Sequence, residues 1–171
     1  MKIAIVFYSK TGNTRRVVQE LIETLKHSGF DVNVFEVIPA HDYKPPLHFN
    51  PRLIYETLIK KSTSINIKPS APLVKDYDIF ILASPVWFNT ITPPIRTFIR
   101  EYKGQGKTAI CITTSQIALN YSRKLRDIAE KEGNYKVIYD VNIVKGEIGR
   151  KVLNKITEII LKYSRGLTKS K

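Results

Sequence analysis

The sequence predicts a three-layer α/β domain: a doubly wound five-stranded parallel sheet, order 2-1-3-4-5, with helices on both faces. Three observations predict it. Strand-like and helix-like patterns alternate from end to end, as they do when helices make the crossovers between parallel strands. Several strands are continuous apolar runs, the pattern of strands buried on both faces. The chain of 171 residues is long enough for one domain with a full core.

Residues 2–7 open the chain as an apolar strand, and residues 14–27 follow as a helix with Val18, Leu21, Ile22 and Leu25 on one stripe and Gly29 near its end. Residues 31–37 alternate as a second strand. Residues 50–61 read as a helix, with Leu53, Ile54, Thr57 and Leu58 on one face. Residues 77–84, YDIFILAS, form the third strand. Residues 93–102 form a proline-started helix striped by Ile95, Phe98, Ile99 and Tyr102. Residues 107–113 are the fourth strand, and residues 117–131 a helix with Ala118, Tyr121, Leu125 and Ile128 inward. Residues 135–141 are the fifth strand, and residues 149–163 the last helix. Residues 1–165 form the single domain, and residues 166–171 a short basic C-terminal tail. The proline-containing stretches 39–51 and 69–72 are loops within the domain.

In a sheet of this order, ligands bind beyond the carboxyl ends of strands 1 and 3, where the winding reverses. The loop after strand 1 reads Ser9, Lys10, Thr11, Gly12, Asn13, Thr14 and runs straight into a helix. First-turn amides without carbonyl partners, a favourable helix dipole, a turn-permitting glycine and several hydroxyl donors make a phosphate site. The alternative is a capped turn with Thr14 as N-cap. The loop lacks both the Walker spacing and the dinucleotide fingerprint. The loop after strand 3 runs from Ser84 through Pro85, Val86, Trp87, Phe88 and Asn89 to Pro93. Exposed aromatics there are expected to cover a planar ligand or meet a partner.

S-x-T-G-N-T after a strand resembles the FMN-phosphate loop of the flavodoxin-like family. YDIFILASPVWFNTITPPIRTFI is similar to that family's third strand, flavin loop and following helix. The resemblance covers most of the chain and is closer to the short-chain form, since strand five has no long insertion. It implies FMN, with Ser9, Lys10, Thr11, Gly12, Asn13 and Thr14 on the phosphate loop and Pro85, Val86, Trp87, Phe88 and Asn89 on the ring loop. Thr113, Thr114, Ser115 and Gln116 fall where the family closes the flavin's other edge, although relatives often carry glycine there and this loop has none. The implied function is an FMN-dependent NAD(P)H oxidoreductase reducing quinones or similar acceptors. No residue is assigned a catalytic role, because the flavin carries the chemistry. A flavodoxin-type electron carrier is the first alternative, and an anion or nucleic-acid binder that has lost flavin the second.

Lys+Arg total 28 against 15 Asp+Glu, a formal charge of +13. That balance favours anionic partners or reflects a solvated basic surface. The basic residues are not interleaved with aromatics as in single-strand binding, so nucleic acid is disfavoured. The expected partners are a small-molecule acceptor or an acidic redox protein, and a homo-oligomer with the site near a subunit interface is compatible with the exposed aromatics. Cations Lys10, Arg15 and Arg16 near a flavin would favour its reduced, anionic form and a comparatively high potential. Lys44 or Arg52 is a candidate for a nicotinamide phosphate. Tyr121 either faces the site or packs in the core.

The remaining features are structural. No apolar run approaches the ~20 residues of a membrane span, and the opening core strand does not read as a signal peptide. One cysteine, Cys111, sits in an apolar strand, consistent with a reduced, cytoplasmic setting. GKT at residues 106–108 precedes a strand and is a turn rather than a P-loop. His27, His41 and His48 lack partners at metal-ligand spacing, so no metal is expected. Ser84 lacks the G-x-S-x-G setting of a nucleophile.

Overall fold

The computed structural model describes residues 1–41, 43, 50–58 and 62–169. The elements run β1 (Lys2–Phe7), α1 (Asn13–His27), β2 (Asp31–Pro39), α2 (Pro51–Leu58), β3 (Ile65–Lys68), β4 (Ile79–Trp87), β5 (Thr90–Ile91), α3 (Pro93–Glu101), β6 (Thr108–Ser115), α4 (Ser122–Lys131), β7 (Lys136–Val144) and α5 (Arg150–Lys169). Strands β2, β1, β4, β6 and β7 are parallel neighbours in that order, which is the 2-1-3-4-5 winding.

Two further strands enlarge the sheet. β3 pairs antiparallel with β2, from Glu36 opposite Lys68 to Pro39 opposite Ile65. β5 folds back on the end of β4, with Val86 opposite Ile91 and Trp87 opposite Thr90. Both are too short to produce a periodic signal of their own.

Each buried strand feeds two cores by alternation. Ile3, Ile5 and Phe7 of β1 pack with Val17 and Leu21 of α1 and Ile156 and Ile160 of α5. Ala4 and Val6 pack on the opposite face with Ile95 and Phe98 of α3 and Leu125 and Ile128 of α4. Cys111 belongs to this second core, and burial pushes its thiol well above the usual range, so it is inert. Among the described residues no helix is long and apolar enough to cross a membrane.

One helix is shorter than its pattern. Residues 117–121 were expected to be helical, but α4 begins only at Ser122. Ala118 is exposed rather than inward, and Ile117 and Leu119 are more than half exposed. Ser115 Oγ donates to the Ile117 carbonyl at 2.7 Å, folding the segment into a turn at the strand end. His27 closes α1 as expected, with Nδ1 2.7 Å from the Glu23 carbonyl.

Candidate functional site

Every parallel strand ends on one side of the molecule, and there three loops meet. Thr11 and Asn13 from the first, Pro85, Val86 and Trp87 from the second, and Thr114, Ser115 and Gln116 from the third line one cleft of about 150 Å³. These residues lie far apart in sequence, and the parallel register alone brings them together.

The first loop turns at Gly12, which caps α1 with φ +90° and has open space where a Cβ would stand. No side-chain cap satisfies the helix start, so Thr14 is not the N-cap. Thr14 is buried instead, its hydroxyl 2.7 Å from that of Thr114. The bond ties the first loop to the third. Ser9 Oγ accepts from the Arg15 amide at 3.2 Å, leaving the amides before Arg15 directed past the helix end. Arg15 itself turns aside, ion-paired to Glu36 with its guanidinium over the Phe7 ring. Its charge is therefore compensated, which weakens its expected pull on a bound anion.

The second loop is a hairpin, not an open coil. Ser84 and Thr92 are fully buried at its base, their hydroxyls 2.9 Å apart. Phe88 and Asn89 form the tip with φ of +46° and +60°, a primed turn that suits a two-residue hairpin but is unfavourable for a phenylalanine. The tip is clamped from α4. Tyr121 OH donates to Asn89 Oδ1 at 2.5 Å, and Lys124 Nζ donates to the Asn89 carbonyl at 2.6 Å. Tyr121 is thus buried yet serves the site's frame. Trp87 lines the cleft, fixed edge-on by Tyr8 and Tyr43 at centroid distances of 5.5 and 5.6 Å. Phe88 stays 45 % exposed at the rim.

The third loop is held from β7. Asn142 Oδ1 accepts from Thr113 Oγ1 at 2.8 Å, and its Nδ2 donates to Ser115 Oγ at 2.8 Å. Thr113 is accordingly buried towards β7 and does not line the cleft, whereas Thr114, Ser115 and Gln116 do. Arg52 is engaged elsewhere: it pairs with Glu56 at 2.7 Å and stands over Tyr43, whose phenol donates to Glu56 at 2.6 Å. Burial, reinforced by that hydrogen bond to Glu56, raises the Tyr43 pKa strongly. Lys44 and His48 lie outside the described residues.

The model of the NADPH-dependent FMN reductase family matches residues 1–144, which include all three loops. The chain belongs to this family. As a member it is an FMN-binding flavoprotein. The sequence matches no curated protein. Among solved structures, a flavoprotein in complex with FMN from Lactobacillus acidophilus NCFM superposes with a TM-score of 0.68 at 19% identity, over 82% of this chain and 92% of that one. A structure from Bacteroides eggerthii DSM 20697 gives 0.69 at 23% identity, over 94% and 98%. An archaeal flavodoxin gives 0.59 at 12% identity, over 98% and 99%. At these identities the likenesses show the fold.

Two residues that shape this cleft escape a reading of motifs. Asn142 carries no signal in the strand NIV, because only the tertiary register sets it opposite Thr113 and within reach of Ser115. Gly146, with φ +71°, lets the loop after β7 touch the first loop: a Cβ there would lie 2.9 Å from Asn13 Cβ. A glycine after an apolar strand was the one available hint.

Proposed function

We propose that the three-loop cleft holds FMN and that the protein is an NAD(P)H-dependent oxidoreductase, with quinones or similar small molecules as acceptors. The observation that carries this reading is the convergence of Thr11 and Asn13 with Pro85–Trp87 and Thr114–Gln116 in one cleft. The donor set fits the cofactor's two ends. Small hydroxyl and amide donors at an uncapped helix start suit a phosphate, and the proline, valine and tryptophan wall suits a planar ring.

In this arrangement Ser9, Lys10, Thr11, Gly12, Asn13 and Thr14 form the phosphate cradle. Thr11, Asn13 and the first amides of α1 face the anion, while Ser9 and Thr14 hold the loop's shape. Pro85, Val86 and Trp87 exclude water from one side of the ring, with Phe88 and Asn89 shaping the mouth. Thr114, Ser115 and Gln116 close the other edge, and Thr113 anchors them through Asn142. Bound FMN supplies the hydride and electron transfer. The protein contributes position, a drier surrounding and hydrogen bonds, and needs no acid or base of its own. The glycine-free third loop reaches the cleft all the same, so the absence of glycine does not argue against flavin. A reduced, cytosolic setting suits a chain with one buried, inert cysteine.

The test is anaerobic absorbance of the FMN-loaded protein before and after adding NADPH or NADH. The proposal expects rapid bleaching of the yellow band. A retained band that bleaches only with a reduced protein partner would replace the reductase with an electron carrier.

A further inference from the structure

The cleft end of the molecule combines two features that extend beyond the flavin site. The first is charge. Helices α1, α3, α4 and α5 follow parallel strands and therefore start at that end. None has an acidic residue in its first turn. They carry Arg15 and Arg16, Arg96, Arg123 and Lys124, and Arg150 and Lys151 there instead, and Lys145 stands on the loop between β7 and α5. Cations at helix N-termini oppose the macrodipole, so this placement works against stability. Arg15 and Arg96 are ion-paired. Arg16, Arg123, Lys124, Lys145, Arg150 and Lys151 are exposed and have no acidic partner among the described residues.

The second feature is apolar. Phe88, Ile117 and Leu119 are 45 %, 55 % and 51 % exposed. They stand on the β4–β5 turn and the β6–α4 loop, which Tyr121 and Lys124 join through Asn89. Phe88 is held outward by a turn that disfavours it.

We propose that this end docks on an anionic lipid surface, with Phe88, Ile117 and Leu119 entering the headgroup boundary and the ring of cations meeting the lipid charges. The cations lie on helices from both faces of the sheet, around the whole rim. Such a spread matches a plane better than the one-sided footprint of an acidic protein. The apolar side chains are single protrusions on loop tips rather than the lining of a groove. Docked this way, the cleft mouth faces the bilayer, where lipophilic acceptors dissolve.

The experiment is sedimentation of the full chain with large vesicles of phosphatidylcholine, alone or with 30 mol% phosphatidylglycerol, at roughly 0.05 and 0.5 M salt, chosen to span strong and weak screening. Binding is expected only to the anionic vesicles, and to fall at high salt. The variant Arg123→Glu/Arg150→Glu/Lys151→Glu removes three favourable charges, each worth roughly fivefold in partitioning, and adds three repulsive ones, so it should lose at least about a hundredfold. Its thermal midpoint should hold or rise, because acids suit helix N-termini. The variant Ile117→Ser/Leu119→Ser should bind about tenfold more weakly. No pelleting with anionic vesicles at low salt overturns the proposal. Equal binding to soluble polyglutamate, insensitive to the serine variant, overturns it in favour of an acidic protein partner. Neither readout depends on flavin turnover, so failure here is distinct from failure of the reductase reading.

Discussion

Replacing Gly146 by alanine should damage the proposed flavin site from outside it. Gly146 sits at φ +71°, and an added Cβ would stand 2.9 Å from Asn13 Cβ and 3.0 Å from its Cα and carbonyl oxygen. Two costs add. The left-handed backbone disfavours alanine by about 1 kcal/mol. The contact with Asn13 cannot persist and must be relieved by moving the backbone that opens α1, a further ~1–2 kcal/mol. Gly29 separates them, since it has φ +82° but nothing within 4 Å of an added Cβ. Gly29→Ala should therefore lose only ~1 kcal/mol, and Gly146→Ala about 2–3 kcal/mol, measured as urea unfolding free energies. FMN titration should show roughly tenfold weaker binding, equal to ~1.4 kcal/mol, for Gly146→Ala, and none for Gly29→Ala. Equal destabilisation by the two substitutions, with FMN affinity unchanged in both, would mean that Gly146 does not support the first loop.

Thr114→Val strands the buried Thr14 hydroxyl and should cost about 1–2 kcal/mol. In a double-mutant cycle with Thr14→Val the two losses should be less than additive by ~1 kcal/mol in urea unfolding. Phe88→Gly relieves a left-handed aromatic that is 45 % exposed. It should raise stability by about 1 kcal/mol, a rise of ~2–4 °C by calorimetry. Although burial opposes it, hydrogen bonds from Arg96 and Arg100 hold the Glu132 carboxyl below its ordinary pKa. Stability from this group is therefore present above the unfolded value near 4.3 and lost as pH falls through the folded value. Glu132→Gln should be less stable by about 1 kcal/mol at pH 7, a partly exposed pair being discounted for screening. The gap should close as the pH drops from 5 towards 3 in urea melts.

The winding and the first two loops were legible because their residue types are unusual for filler. A Thr-Gly-Asn-Thr turn opening a helix and a Pro-Val-Trp-Phe run ending a strand have few purely structural uses. The third loop was placed by its position in the fold and the family resemblance rather than by its own residue types, and only its Thr114–Gln116 portion reaches the cleft. Residues 117–121 misled because Ala118, Tyr121 and Leu125 keep helical spacing, while the strand end captures the chain through Ser115 and Ile117. Of the supports, Asn142 left no signal in the sequence and Gly146 only that of a glycine after an apolar strand. They act on residues some 30 and 130 positions away, as Ser115 and Asn13 show, and no local pattern encodes such contacts. The pairing that compensates Arg15 was hidden for the same reason: its partner, Glu36, lies on the next strand.

FMN is proposed to sit in the three-loop cleft, and the chain's single tryptophan, Trp87, lines that cleft. The direct measurement is tryptophan fluorescence during FMN titration of the apoprotein, run in parallel on Asn13→Asp. An aspartate there suits the start of α1 but repels a phosphate. Saturable quenching at one FMN per chain is expected in the native protein, with binding weakened about a hundredfold or more in Asn13→Asp while its fold persists. No saturable quenching, or equal affinity in the two proteins, would contradict that placement.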